Sequence, residues 1–290
     1  MNIQEQNLYI MSLMSRFLND APCLIDASSV SELSNACSLT REEAFTYILA
    51  AYCGIDIEGD GGELFNEYFL KMIREIDRNG FEDDPYYRNI ALPSVKCGRI
   101  ELSHSCFKPY EAFVCDDTVM QSDGRIIPQI GFFAEEQSYP AIMEDDRIWM
   151  TVTPLEINTM RPAVAAAHGK VLAYGLGLGY FAYMAALKPE VDSVTVVEFN
   201  DTIIELFKKY ILPQFGIAGK KLSIIHADAF MYAETEMGEG SFDFVFTDLW
   251  HDVSDGTDMY FRMKDYEKNS PKSEFSYWIE RSILCHLRGF

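Results

Sequence analysis

Three glycines at alternate positions, Gly175, Gly177 and Gly179, stand between the apolar run Val171-Leu-Ala-Tyr174 and the apolar stretch 180–187. A buried strand, a tight glycine turn and a helix start, in that order, let backbone approach a ligand closely. Three carboxylates follow at the expected ends or turns of later strands. Glu198 closes Val194-Thr-Val-Val-Glu198, Asp228 sits in His226-Ala-Asp-Ala229, and Asp248 closes Phe242-Asp-Phe-Val-Phe-Thr-Asp248. Glu198 lies 19 residues beyond Gly179, where a carboxylate can accept hydrogen bonds from both hydroxyls of a ribose. Asp228 can accept from an adenine amino group or cap the helix that follows it. Asp248 is placed near a reacting centre. A glycine triplet alone says little; four features in this order describe a nucleoside crevice in an open α/β sheet.

Phosphate is a poor part of that ligand. A dinucleotide loop of the form G-x-G-x-x-G would need glycine where Tyr180 stands, and no G-x-x-x-x-G-K-[ST] sequence occurs. The stretch 250–260 adds His251, Asp252, Asp255 and Asp258, which could hold a cationic amine or orient a nucleophile, or form a solvated acidic loop. His251 beside Asp252 is a candidate general base, because imidazole titrates near neutrality. Val253 breaks the ligand spacing of a Ca²⁺ loop, and the seven cysteines contain no C-x-x-C, so no metal site is expected.

The elements that must position these groups follow from periodicity. Residues 1–80 read as a helical domain, with one apolar face at Leu8, Met11, Met14, Phe17 and Leu18 and another over 64–76. Ser29-x-x-Glu32 and Thr40-x-x-Glu43 read as capping boxes. Residues 81–155 read as a small β-rich domain, broken from the helices by Asp83-Asp84-Pro85, with strands expected around 99–102, 111–115, 130–133 and 147–152. A helix over 156–167 leads into residues 156–290, an alternating α/β domain. Its strands are expected at 171–174, 193–197, 222–225 and 242–247, and its helices at 180–187, 201–210 and 274–286.

The formal net charge is −21, with −15 in residues 1–150 and −6 in residues 151–290. Such a surface repels phosphate backbones, so no nucleic-acid partner is expected; a cationic small molecule such as an amine, or another protein, fits better. An odd number of cysteines and a start without a basic, apolar leader point to reduced thiols in a soluble cytoplasmic protein. No stretch reaches the ~18 apolar residues of a membrane span.

Residues 170–250 resemble the cofactor half of class I S-adenosylmethionine-dependent methyltransferases, and more narrowly the spermidine-synthase-like branch, which also carries a small β domain ahead of its glycine strand. The resemblance implies a Rossmann-like methyltransferase fold. It also implies S-adenosyl-L-methionine, or its decarboxylated form, bound by Gly175, Gly177, Gly179, Glu198 and Asp228-Ala229. Asp248 falls at the first catalytic position and His251 at the second, where the branch has Asp, with Asp252 one place later as its substitute. The chain departs from the branch at four places. Ala173 stands where methyltransferases often have an acid, and Leu178 where spermidine synthases have Asp. Asp248-Leu-Trp-His251 keeps only the first acid of Asp-Ser-Ser-Asp, and the Tyr-His-Glu signature is missing. The reading is therefore a small-molecule methyltransferase. Aminopropyl transfer is the first alternative, and a nonenzymatic nucleoside-binding or interaction protein the second. With four strands placed and about 40 residues after Asp248, a shortened sheet is expected, its edge covered by the β-rich region or by a second copy in a homodimer.

Overall fold

The computed structural model describes residues 1–289; Phe290, the last residue of the expected α/β domain, lies outside them. In chain order the elements are α1 (Ile3–Asp20), α2 (Ala27–Cys37), α3 (Arg41–Tyr52), α4 (Gly62–Leu64), α5 (Leu70–Met72), β1 (Ile73–Glu75), α6 (Arg78–Glu82) and α7 (Pro85–Asn89). Then come β2 (Val95–Cys97), β3 (Ile100–Phe107), β4 (Phe113–Met120), β5 (Ile126–Phe132), β6 (Gln137–Glu144), β7 (Arg147–Thr151) and α8 (Pro154–Ala166). The remainder alternates: β8 (Gly169–Tyr174), α9 (Tyr180–Leu187), β9 (Val191–Glu198), α10 (Asp201–Leu206), β10 (Leu222–His226), α11 (Ala229–Thr235) and β11 (Phe244–Thr247). It closes with α12 (Val253–Lys264), β12 (Glu274–Tyr277) and α13 (Glu280–Gly289). No described helix is long and apolar enough to cross a membrane.

The chain divides into two compact units, residues 1–81 with 106–138 and 284–290, and residues 82–105 with 139–283. This division cuts across the three segments expected from sequence, because the β-rich stretch is shared between two sheets. In the first unit β5 is the centre of a three-stranded sheet, parallel to β1 and antiparallel to β4. Every residue of β5 is buried. Its Ile127, Ile130 and Phe132 join Ile10 and Phe17 of α1, Phe45 of α3 and Tyr68 in one apolar core. Thr40 and Glu43 form the expected capping box on α3. The box expected at Ser29 is corrected: Asp26 caps α2 by accepting the Ser29 N–H at 2.8 Å, and the helix starts three residues earlier.

The second unit carries a four-stranded sheet of order β2-β3-β6-β7 and a five-stranded sheet of order β10-β9-β8-β11-β12. All neighbours in the larger sheet are parallel. Counted from β8 its order is 3-2-1-4-5, which is Rossmann-like, with the order reversing between β8 and β11. Both β8 and β9 are largely buried, and β9 carries four Val, as expected for strands covered on both faces. The sheet has one strand more than the sequence indicated. Residues 274–277, expected to open the last helix, pair with β11 from Phe244↔Glu274 to Thr247↔Tyr277. Ser273 Oγ donates to the Phe242 carbonyl at 2.6 Å and Ser270 Oγ to Gly238 at 3.1 Å, pinning the strand to the edge of β11. That pairing is tertiary, and it overrides the local helical spacing of the apolar residues.

Candidate functional site

The glycine loop leaves β8 after Tyr174 and crosses the end of β11. Gly175 has φ +95°, and a Cβ there would lie 2.0 Å from the Asp248 carbonyl oxygen. Gly179 has φ +79° and precedes α9; a Cβ there would lie 2.3 Å from Phe207 Cε2. Two of the three glycines are thus required by close packing as well as by conformation. Between them the loop is tied to the neighbouring strand. Glu198, buried at the end of β9, accepts the Leu176 N–H on Oε2 at 3.0 Å and the Asn200 N–H on Oε1 at 2.8 Å. Each of its oxygens keeps a further lone pair for a ligand.

A cavity of about 570 Å³ opens at this point, within the range of small-ligand clefts. It is walled by the glycine loop, the ends of β9 and β11, the segment 148–152 and the start of α8, all in the second unit. Four acidic residues line it, Glu144, Glu156, Glu198 and Asp248, the carboxylate of Glu144 lying 3.7 Å from the Arg99 guanidinium, and among the described residues lining it there is no Lys or Arg. Glu156 accepts from Thr151 Oγ1 at 2.9 Å and from the Thr153 N–H at 2.7 Å, and burial holds its carboxyl above the usual range. No described residue donates a hydrogen bond to the Asp248 carboxylate. Burial first, then repulsion from Glu156 and Glu198, pushes its pKa up to about 8.

All three tryptophans of the chain line the same cavity: Trp149, Trp250 and Trp278. Trp278 Nε1 donates to Thr159 Oγ1 at 2.8 Å, which fixes that ring. Trp250 is buried against Gly256 of α12, where a Cβ would lie 2.8 Å from the indole, and its Nε1–H has no partner among the described residues. Trp149 faces His251 with ring centroids 6.4 Å apart. Carboxylates together with indole faces suit a cation.

Of the residues expected from sequence, Gly175, Gly177, Gly179, Glu198, Ala229, Asp248 and His251 line the cavity. Asp228 and Asp252 do not. Asp228 accepts the Met231 N–H at 2.9 Å and caps α11. Asp252 accepts the Ser254 N–H at 2.6 Å and caps α12, so the expected acidic loop is instead a helix start. The carboxylate beside His251 is that of Asp255, with Nδ1 and Oδ2 2.9 Å apart, rather than that of Asp252. Sequence reasoning did not single out Glu144, Glu156 or Trp278. Thr153-x-x-Glu156 carries a capping-box signature, but only the placement of α8 turns that glutamate into part of the cleft.

The second unit is therefore a Rossmann-like α/β body with an acidic, aromatic cleft at the switch point of its sheet. No protein-family model and no curated protein matches the chain. Among solved structures it is similar to the crystal structure of spermidine synthase from Thermotoga maritima, at 15% identity and a TM-score of 0.37, over 64% of this chain and 55% of that one. It is also similar to precorrin-8W decarboxylase of Methanobacterium thermoautotrophicum, at 15% identity and a TM-score of 0.33, over 43% of this chain and 63% of that one. The chain thus spans under two thirds of either protein.

Proposed function

We propose that the cleft binds a cationic sulfonium nucleoside of the S-adenosylmethionine class and that the protein transfers one of its carbon groups to a small nucleophile, above all an amine. The observation that carries this reading is Asp248: a carboxylate without a hydrogen-bond donor, in a lining with three other acids and no Lys or Arg among the described residues. Such a lining disfavours phosphates and carboxylates and favours positive charge.

The residues fit the nucleoside. Gly177 and Gly179 let backbone approach it, and Glu198 has lone pairs free for ribose hydroxyls. Ala229 lines the same cavity on the far side of Glu198 in the strand order. When bound, the sulfonium supplies an electrophilic carbon whose bond to sulfur breaks as the new bond forms, leaving a neutral thioether. The protein's part is positioning and proton handling. An ammonium acceptor must lose a proton before it can attack, and the ionised form of Asp248, whose pKa is pushed up to about 8, is suited to receive it. Glu156 holds the remaining positive charge of the acceptor.

Which group moves is a question of charge. S-adenosylmethionine brings a carboxylate that this lining gives no cation to meet, whereas its decarboxylated form is wholly cationic. The lining therefore favours aminopropyl transfer from the decarboxylated form over methyl transfer. Calorimetric titration with the two forms tests the choice. Tighter binding of the decarboxylated form is the expected result, and tighter binding of S-adenosylmethionine restores methyl transfer as the better reading.

A further inference from the structure

We infer that Asp84, Tyr86 and Tyr87 are positioning residues that hold the glycine loop and the 148–152 stretch of the cleft in place. The inference rests on the cleft being the ligand site proposed above. One short segment reaches three separate points of the lining. Tyr86 OH donates to the Leu178 carbonyl in the middle of the glycine loop at 2.7 Å. Tyr180 OH, at the end of that loop, donates to Asp84 Oδ2 at 3.0 Å. Tyr87 OH donates to the Val152 carbonyl, in the 148–152 stretch of the lining. Leu178, Tyr180 and Val152 all line the cavity.

The segment is itself rigid. Asp84 Oδ1 caps α7 by accepting the Tyr86 N–H at 2.8 Å, and Pro85 presets the first helical φ. Tyr86 is 1% exposed, and its ring lies 5.6 Å from that of Tyr180 and 6.0 Å from that of Tyr183. Glu198 holds the loop at the Leu176 N–H, and Tyr86 holds it two residues later at the Leu178 carbonyl. A loop of alternating glycines has large conformational freedom in isolation. Two fixed points, one from each side, reduce it to a single shape before any ligand arrives.

The test compares Tyr86→Phe with Tyr183→Phe, which alters a tyrosine on the same contact that does not line the cavity. Hydrogen–deuterium exchange is followed over residues 176–181 and over β8 and β9, and methylthioadenosine affinity is measured by calorimetry. Losing the hydroxyl should speed exchange in the loop and weaken methylthioadenosine by about ten-fold each, the scale of one buried hydrogen bond, with β8 and β9 unchanged. Tyr183→Phe should change neither. Wild-type exchange in the loop of Tyr86→Phe, or a rise spread equally over loop and strands, overturns the inference. If Tyr86→Phe does not fold, Tyr87→Phe replaces it, read by exchange over residues 150–153. A folded wild-type protein that binds neither methylthioadenosine nor either sulfonium form contradicts the proposed function, and the exchange comparison still decides the clamp.

Discussion

A Cβ added to Gly175 would lie 2.0 Å from the carbonyl oxygen of Asp248. The first glycine of the loop and the unpartnered acid of the cleft are therefore one packing unit, in which the ends of β8 and β11 touch backbone to backbone.

Gly175→Ala should cost on the order of 3 kcal/mol or more in urea unfolding, because a left-handed φ and a backbone clash act together. Gly177→Ala meets only Met150 Sδ at 3.4 Å, an ordinary contact, and should cost about 1–2 kcal/mol from conformation alone. Equal costs for the two would contradict the packing described.

Glu198→Ala removes the acceptor for the Leu176 and Asn200 N–H groups along with the lone pairs offered to a ribose. Nucleoside affinity by calorimetry should fall by about 1.5–3 kcal/mol. Unchanged affinity would take Glu198 out of the site.

Asp248→Asn should change stability in a pH-dependent way. The folded-state pKa is raised to about 8, so the folded chain holds a proton that the unfolded chain releases near pH 4. That contribution is fully present below about pH 4 and is lost as pH rises to about 8. Urea unfolding from pH 4 to 9 should show the Asn variant gaining on the wild type with rising pH and levelling above about pH 8. A difference independent of pH would mean that Asp248 titrates normally.

Tryptophan emission should report binding directly, since Trp149, Trp250 and Trp278 all line the cleft. A bound nucleoside should change the emission of the wild-type protein, and Trp149→Phe should keep part of the change. Saturating ligand with no change in emission would place binding elsewhere.

Much of the Rossmann-like half was legible because its signals are local. Short apolar runs, the glycine loop and Thr153-Pro154 mark strands, turn and helix start by signals that each span a few residues. Residues 274–277 were not legible as a strand, because their partner is β11, some 30 residues earlier, and the edge position leaves them short and mixed in polarity. Asp228 and Asp252 show the converse. Each stands in a stretch that suggests ligand contact, yet each carboxylate meets the N–H groups of the helix beginning beside it, a local demand that sequence also signals. Glu156 carries the same signature and does both, capping α8 and lining the cleft.

One calorimetric series at about pH 8 tests the cleft most directly: decarboxylated S-adenosylmethionine, S-adenosylmethionine, methylthioadenosine and ATP titrated into the intact chain. Binding of the sulfonium nucleosides, tightest for the decarboxylated form and absent for ATP, is the predicted result. Binding of ATP in preference to all three, or of none of the four by a folded sample, would contradict it.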